Sequence, residues 1–238
     1  MSWHTQESHI FVKSQSRRRD GHATLHPALL RWIAAEIPTS MRVLDVGCGS
    51  GRLTLAVAPL AAEVIGIDRD GAALEIGRQR VAAAGVANVR FIEADAEDVP
   101  YGSLIGAGTL NMVVANLCMS QAIIARAYEA LPVEGCLIFA ALHTAQWQET
   151  GRGSRFAYDA PALRQLLETS GWHCAAMELD REVLHLQHAE DLERYFAGSP
   201  LRQRWQQDGR WEGLVQYLSQ GGDRLTTRSH VLVKARKR

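Results

Sequence analysis

The chain reads as a doubly wound α/β protein on a parallel sheet, and three features predict it. Short, nearly continuous apolar runs recur at residues 42–46, 63–67, 89–93, 110–116 and 136–142. Helical patterns lie between them, near 51–58, 70–84 and 120–131. Runs that are apolar throughout suit strands covered on both faces, and their alternation with helices builds βαβ units with right-handed crossovers. The third feature is the run Val43-Leu-Asp-Val-Gly-Cys-Gly-Ser-Gly51, in which a strand passes straight into a turn carrying Gly47, Gly49 and Gly51. Without Cβ atoms, such a turn lets backbone approach a ligand closely.

The remaining elements follow in order. Residues 1–22 are polar and irregular and read as an arm, with Arg17, Arg18, Arg19 and His22. Leu25, Leu29, Leu30, Trp32 and Ile33 have helical spacing, so a helix over 24–36 is expected, capped by Thr24 and ended by Pro38. A helix over 159–170 opens at Asp159, has Pro161 just inside and closes at Gly171. A strand over about 172–184 follows. Residues 189–220 break the rhythm with Tyr195, Phe196, Trp205, Trp211 and Tyr217 among glycines and a proline, which reads as a helical insertion. A closing strand begins at Arg228 and runs to about 236. The whole of 1–238 is expected to form a single domain.

Composition bounds the function classes. Lys plus Arg and Asp plus Glu both number 26, so no net charge draws the chain to nucleic acid or an anionic membrane. Basic clusters at 17–19 and 234–238 read as a solvated tail and a charged strand end. Cys48, Cys118, Cys136 and Cys174 form no CxxC pair, which suits reduced thiols of a cytoplasmic protein and neither a disulfide frame nor a zinc site. No apolar run reaches the length of a membrane-spanning helix, and the first residues lack a secretory pattern. Oligomeric state is left open.

Four features fall at strand ends, where open α/β sheets bind ligands. Asp45 and the glycine turn, with Cys48, end the first strand of the sheet. Asp68, followed by Arg69, ends the second, and an acid there can accept bonds from both hydroxyls of a ribose. Asp95 with Ala96 follows the third; its carboxylate and the next amide could reach an adenine. Asn116 and Leu117 end the fourth.

This constellation resembles the class I S-adenosylmethionine-dependent methyltransferases over about residues 25–180, with the closing strand also fitting. Arg52 occupies the sixth position of the glycine pattern, so the dinucleotide fingerprint is not matched. The resemblance implies a seven-stranded, mostly parallel sheet of order 3-2-1-4-5-7-6 with helices on both faces and the last strand antiparallel. It implies S-adenosyl-L-methionine as cofactor, with Gly47, Gly49 and Gly51 against its methionine part and Asp68 and Asp95 on ribose and adenine. Leu131 through Gly135 is similar to the family's Leu-x-Pro-Gly-Gly turn. Two departures stand out. Leu110-Asn111 replaces an aromatic-aspartate pair, and 102–108 is glycine-rich without acidic residues. Another nucleoside on the same turn, such as the decarboxylated cofactor of an aminopropyl transferase, is the neighbouring alternative.

Methyl transfer from a sulfonium needs alignment above all, and sometimes removal of a proton. Asn116-Leu-Cys-Met119 lacks the Asn-Pro-Pro-Tyr-like motif of amide and exocyclic-amine methyltransferases. The Ala-Asn-Leu form is similar to a small-molecule branch that includes ubiquinone-pathway O-methyltransferases. The expectation is transfer to a small-molecule acceptor; RNA or protein methylation, or cofactor binding without catalysis, are the alternatives. His143, after the fifth strand, is the candidate general base, against the plainer reading of a histidine bonded at a strand end. His185 and His188 have helical metal spacing but strand-like surroundings, so no metal is expected. The arm is a candidate lid, whose arginine could pair with the methionine carboxylate. The insertion is a candidate substrate cover, with ordinary helix packing or a dimer contact as its alternatives.

Overall fold

The structure, a computed structural model, describes residues 4–11, 25–37, 40–106, 108–186 and 189–238. They fall into two compact units.

The larger unit comprises 25–141, 160–177 and 232–238. Its elements are α1 (Pro27–Glu36), β2 (Arg42–Val46), α2 (Arg52–Val57), β3 (Glu63–Asp68), α3 (Gly71–Ala83), β4 (Val89–Glu93), β5 (Met112–Asn116), α4 (Gln121–Ala130), β6 (Cys136–Leu142) and α5 (Ala160–Thr169). The first part of β7 (Trp172–His185) and the last part of β8 (Arg224–Lys237) complete it. The strand order is β7-β8-β6-β5-β2-β3-β4, which is the expected order 3-2-1-4-5-7-6. Val43 pairs with Val64 and with Met112, and Val113 with Leu137, all in parallel. The amides of His143 and Lys237 donate to the carbonyls of Ser229 and Gly135, so β8 runs antiparallel to β6.

Burial explains the apolar runs. Val43, Leu44, Val46, Val64, Ile65 and Ile67 are fully inaccessible. Leu29 and Ile33 of α1 join Val57, Met112, Ile138 and Leu232 in one cluster. Side chains seal the helix starts: Asp70 accepts from the amides of Ala72 and Ala73, and Ser120 from that of Ile123. The expected strand over 110–116 begins at Met112, because the Asn111 carboxamide accepts from the Arg42 amide, a bond no apolar pattern reveals.

The smaller unit holds 142–159, 178–231 and β1 (His4–Phe11). The expected irregular arm is thus corrected over 4–11. Those residues form a strand parallel to the second half of β7, from His4 beside Glu178 to Phe11 beside His185. A neighbour's backbone bonds made this strand, and periodicity gave no sign of it. Arg17, Arg18, Arg19 and His22, and with them the lid reading, lie outside the described residues. The insertion is three helices, α6 (Ala189–Phe196), α7 (Pro200–Asp208) and α8 (Arg210–Ser219). Phe196, Trp205 and Leu214 form a core there with Leu184 and Leu225, and Trp205 lies 5.2 Å from Trp147 ring to ring. β8 starts ahead of the expected Arg228. Thr226 is held by Glu149, and Thr227 by Glu182. Polar residues with buried partners extend the strand.

Candidate functional site

The glycine turn follows β2 directly. Gly47, Gly49 and Gly51 take φ of 65°, 51° and 76°, the left-handed region that side chains disfavour. Their surroundings differ. A Cβ on Gly47 would lie 2.2 Å from Cys118 Sγ, and one on Gly51 2.7 Å from Phe91 Cζ. Those two admit neighbouring protein. A Cβ on Gly49 would meet nothing within 4 Å, so the open side of the turn is there.

Several groups fix the turn. The Cys48 amide donates to Ile67 O at 3.0 Å, and the Gly51 amide to Cys48 O at 2.9 Å. Arg80, on α3, donates to the Ser50 carbonyl and hydroxyl at 3.1 and 2.6 Å. Asp68 Oδ2 accepts the Gly49 amide at 2.7 Å, while its Oδ1 accepts the Asp70 amide at 2.9 Å. Each carboxylate oxygen keeps a further lone pair, so Asp68 is held in place with acceptor capacity to spare. Arg69 beside it is exposed.

Asp45 is placed differently from the other acids. It is 1% exposed, and its Oδ2 accepts the Thr54 hydroxyl at 2.5 Å. Its Oδ1 is buried without a partner. Burial raises its pKa to about 7, with Asp68 adding to the rise and Thr54 opposing it. A buried acid of this kind is part-protonated at neutral pH. Burial also raises the thiols of Cys48 and Cys118, the latter to about 11, so neither is a thiolate nucleophile at neutral pH.

The other strand ends complete the larger unit's site. Asp95 is exposed; its Oδ1 accepts the Glu97 amide at 2.9 Å. Ala96 is buried, and its carbonyl accepts the Tyr101 hydroxyl at 2.8 Å. Arg126 adds a bond to Glu97 O at 3.3 Å, which pins the loop after β4 despite its departure from the family pattern. Asn116 is half-buried at the tip of β5. Leu117 has φ of 62° and packs against the core cluster, while Met119 is 5% exposed. Thr54, Phe91, Arg80 and Cys118 support this site; sequence reasoning missed the first three and named Cys118 only as part of the Asn116–Met119 tip. Each is remote in sequence from what it holds, and only the spacing of α2 and α3 after the turn hinted at any of them.

His143 belongs to the smaller unit and is 9% exposed. Its Nδ1 accepts the Ala145 amide at 3.1 Å and lies 3.0 Å from Ser229 Oγ. Burial lowers its pKa, Arg181 lowers it further, and Asp159 opposes them. His185 ends β7, and His188 lies outside the described residues. Among the described residues no group of three or more His, Cys, Asp or Glu could hold a metal, and no helix is long and apolar enough to cross a membrane.

The open side at Gly49 and the fixed Asp68 with free lone pairs could hold a nucleoside bearing an amino-acid arm, and both are in the larger unit, as is the inaccessible Asp45 Oδ1 behind them.

Comparison with known proteins gives the family. The family model described as "Methyltransferase domain" matches residues 37–197, more than half of the chain. The uncharacterized methyltransferase YcgJ of Bacillus subtilis is 39% identical over 67 residues, 28% of this chain and 26% of that protein. The ribosomal protein L11 methyltransferase of Bordetella parapertussis is 32% identical over 131 residues, 49% of this chain and 40% of that one. A ubiquinone biosynthesis O-methyltransferase of Acinetobacter baumannii is 35% identical over 77 residues, 32% of each chain. The chain thus matches well under two thirds of the length of these curated relatives. The crystal structure of YcgJ superposes with a TM-score of 0.66 at 16% identity, covering 90% of this chain and 99% of the other, a likeness of fold.

Proposed function

The chain belongs to the methyltransferase-domain family, and we propose that it transfers the methyl group of S-adenosyl-L-methionine to a small organic acceptor. S-adenosyl-L-methionine is the cofactor of this family, and when bound it supplies an already activated methyl group. The protein's own work is then to hold, align and dehydrate.

In this reading Asp68 accepts from the ribose hydroxyls, its position set by the amides of Gly49 and Asp70. Gly49 gives the amino-acid arm room to lie against backbone. Asp95 and Ala96 take the adenine side. Asp45 stands behind the turn as a buried carboxyl on Thr54.

One observation favours a small acceptor over RNA. Three cations of the basic run 234–238, which could have supplied phosphate contacts, are engaged within the larger unit. Lys234 and Arg236 both pair with Glu36. Lys237 Nζ donates to the carbonyls of Tyr128 and Leu131 at 2.6 and 2.7 Å and sits 4.5 Å from the Tyr128 ring centre. Binding a phosphate backbone there would first break these bonds.

The test is to incubate the protein with cofactor labelled at the methyl group, in three separate pools: a small-metabolite extract, total RNA and total protein. Label in the metabolite pool is expected. Label only in RNA or protein overturns the acceptor. Label in none, with S-adenosylhomocysteine still bound in calorimetry, favours a binding module without catalysis.

A further inference from the structure

Phe91 lies on β4, the edge strand of the larger unit's sheet, and its Cα partner on β3 is Gly66. Register partners carry their side chains on the same face, so a side chain at 66 would stand beside the ring. Glycine leaves that place open, and the ring fills it: a Cβ on Gly66 would lie 2.7 Å from Phe91 Cδ1. The tip of the ring meets two more glycines. A Cβ on Gly51 would lie 2.7 Å from Phe91 Cζ, and one on Gly77 of α3 would lie 3.0 Å from the same atom. Gly66 also borders Cys48 of the turn, whose Sγ would be 2.9 Å from a Cβ there. The turn, β3 and α3 thus each present a bare backbone to one ring, and all of these residues belong to the larger unit.

Neighbouring strands stand about 4.8 Å apart. A residue on β4 reaches the turn after β2 only by crossing β3, and a phenyl ring laid over a glycine does so. A leucine stops two bonds short of Cζ. Helix α3 holds the turn from a second point on the same face, where Arg80 donates to the Ser50 carbonyl and hydroxyl. Gly51 is joined to the ligand side through its own bonds. Its amide donates to Cys48 O, and the Gly49 amide between them donates to Asp68.

We propose that Phe91 is a positioning residue for the cofactor: its ring, wedged among Gly51, Gly66 and Gly77, props the turn in the form in which Gly49 and Asp68 take S-adenosyl-L-methionine. This rests on the function proposed above. Phe91 acts through the turn, and its part is to keep Gly51 from sinking toward β3. A ring that only filled the core would add stability and leave ligand affinity alone.

Calorimetric titration of the intact protein with S-adenosylhomocysteine, with urea midpoints measured beside it, separates the two roles. Phe91→Leu keeps an apolar side chain but removes the tip, and it is expected to weaken binding about 2- to 30-fold. Gly77→Ala presses on the same tip from α3. It is expected to weaken binding in the wild-type background and to change little in Phe91→Leu, where no tip remains to be pressed. Midpoints that fall while affinity stays constant in both single variants overturn the inference, as do affinity losses that simply add in the double variant. Amide hydrogen exchange in the unliganded protein needs no cofactor. The Gly49 and Gly51 amides, both bonded in the folded turn, are expected to exchange faster in Phe91→Leu, and equal rates overturn the propping. Asp68→Ala tells which proposal has failed. If Asp68→Ala binds weakly while Phe91→Leu and Gly77→Ala bind as the wild type does, only the role of Phe91 falls. If Asp68→Ala binds as the wild type does, the cofactor's place at this turn falls, and the role of Phe91 toward it falls with it.

Discussion

The Gly49 amide donates to the Asp68 carboxylate at 2.7 Å, so the open glycine of the turn and the acid of the next strand are one unit. The Asp68 carboxylate thus sets the shape of the turn, and in the proposed function the same carboxylate would also take the ribose.

Asp68→Ala should therefore weaken S-adenosylhomocysteine binding more than tenfold, a loss of at least about 1.4 kcal/mol. Gly49→Arg should do the same by filling the turn's open side and straining a left-handed residue. Isothermal titration calorimetry checks both. Unchanged affinity in the two variants would remove the cofactor from this turn.

Gly47→Ala acts on stability. Its new Cβ would lie 2.2 Å from Cys118 Sγ and 2.4 Å from Cys118 Cβ at a φ of 65°. A loss of roughly 2 kcal/mol or more is expected from overlap and backbone strain. Urea denaturation should also show that Gly47→Ala with Cys118→Gly recovers part of that loss, namely the part due to overlap.

Asp45→Asn should stabilise the protein increasingly with pH. An aspartate titrates near 3.9 when unfolded, and in the fold burial raises Asp45 to about 7. Between those values the unfolded chain ionises first, so folding is penalised progressively, by roughly 4 kcal/mol once both forms are ionised. Asparagine keeps an oxygen for the Thr54 hydroxyl and has no charge to bury. Melting temperatures across pH 4.5 to 8, intervals chosen at about the unfolded and folded values, should diverge in the variant's favour. Parallel curves would count against a buried, titrating Asp45.

Glu36→Gln has the opposite sign. Burial alone would raise the Glu36 pKa, but Lys234 and Arg236 outweigh it and hold it below the ordinary carboxylate range. Its stabilisation is present above the unfolded pKa and is lost as pH falls through the lower folded value. The variant should lose about 1–3 kcal/mol at neutral pH, measured in urea, and the difference should shrink as the medium is acidified. The same variant frees two cations, so any RNA retention it gains at low salt would show what Glu36 normally suppresses.

Much of the fold was legible in the chain. Continuous apolar runs alternating with helical spacing specify a two-sided sheet, because strands buried on both faces cannot afford polar positions. The glycine run and Asp68 were legible as a strand-end turn and the acid beside it, since left-handed backbone and an acid after the second strand are local features. The strand at His4–Phe11 was not legible, because its bonds come from Glu178–His185, far along the chain. The early start of β8 was hidden in the same way, since Thr226 and Thr227 looked like loop until Glu149 and Glu182 satisfied them.

The amino-acid sequence by itself determined the sheet and its glycine turn. Those follow from backbone preference and hydrophobic spacing, which act between near neighbours. Tertiary structure decided which glycines have protein against them and what partners the buried acid. Each of those depends on an atom brought from elsewhere in the chain, Cys118 Sγ beside Gly47 and Thr54 Oγ1 on Asp45. Hydrogen bonds and steric overlap act over a few ångströms, and only folding brings those atoms so close.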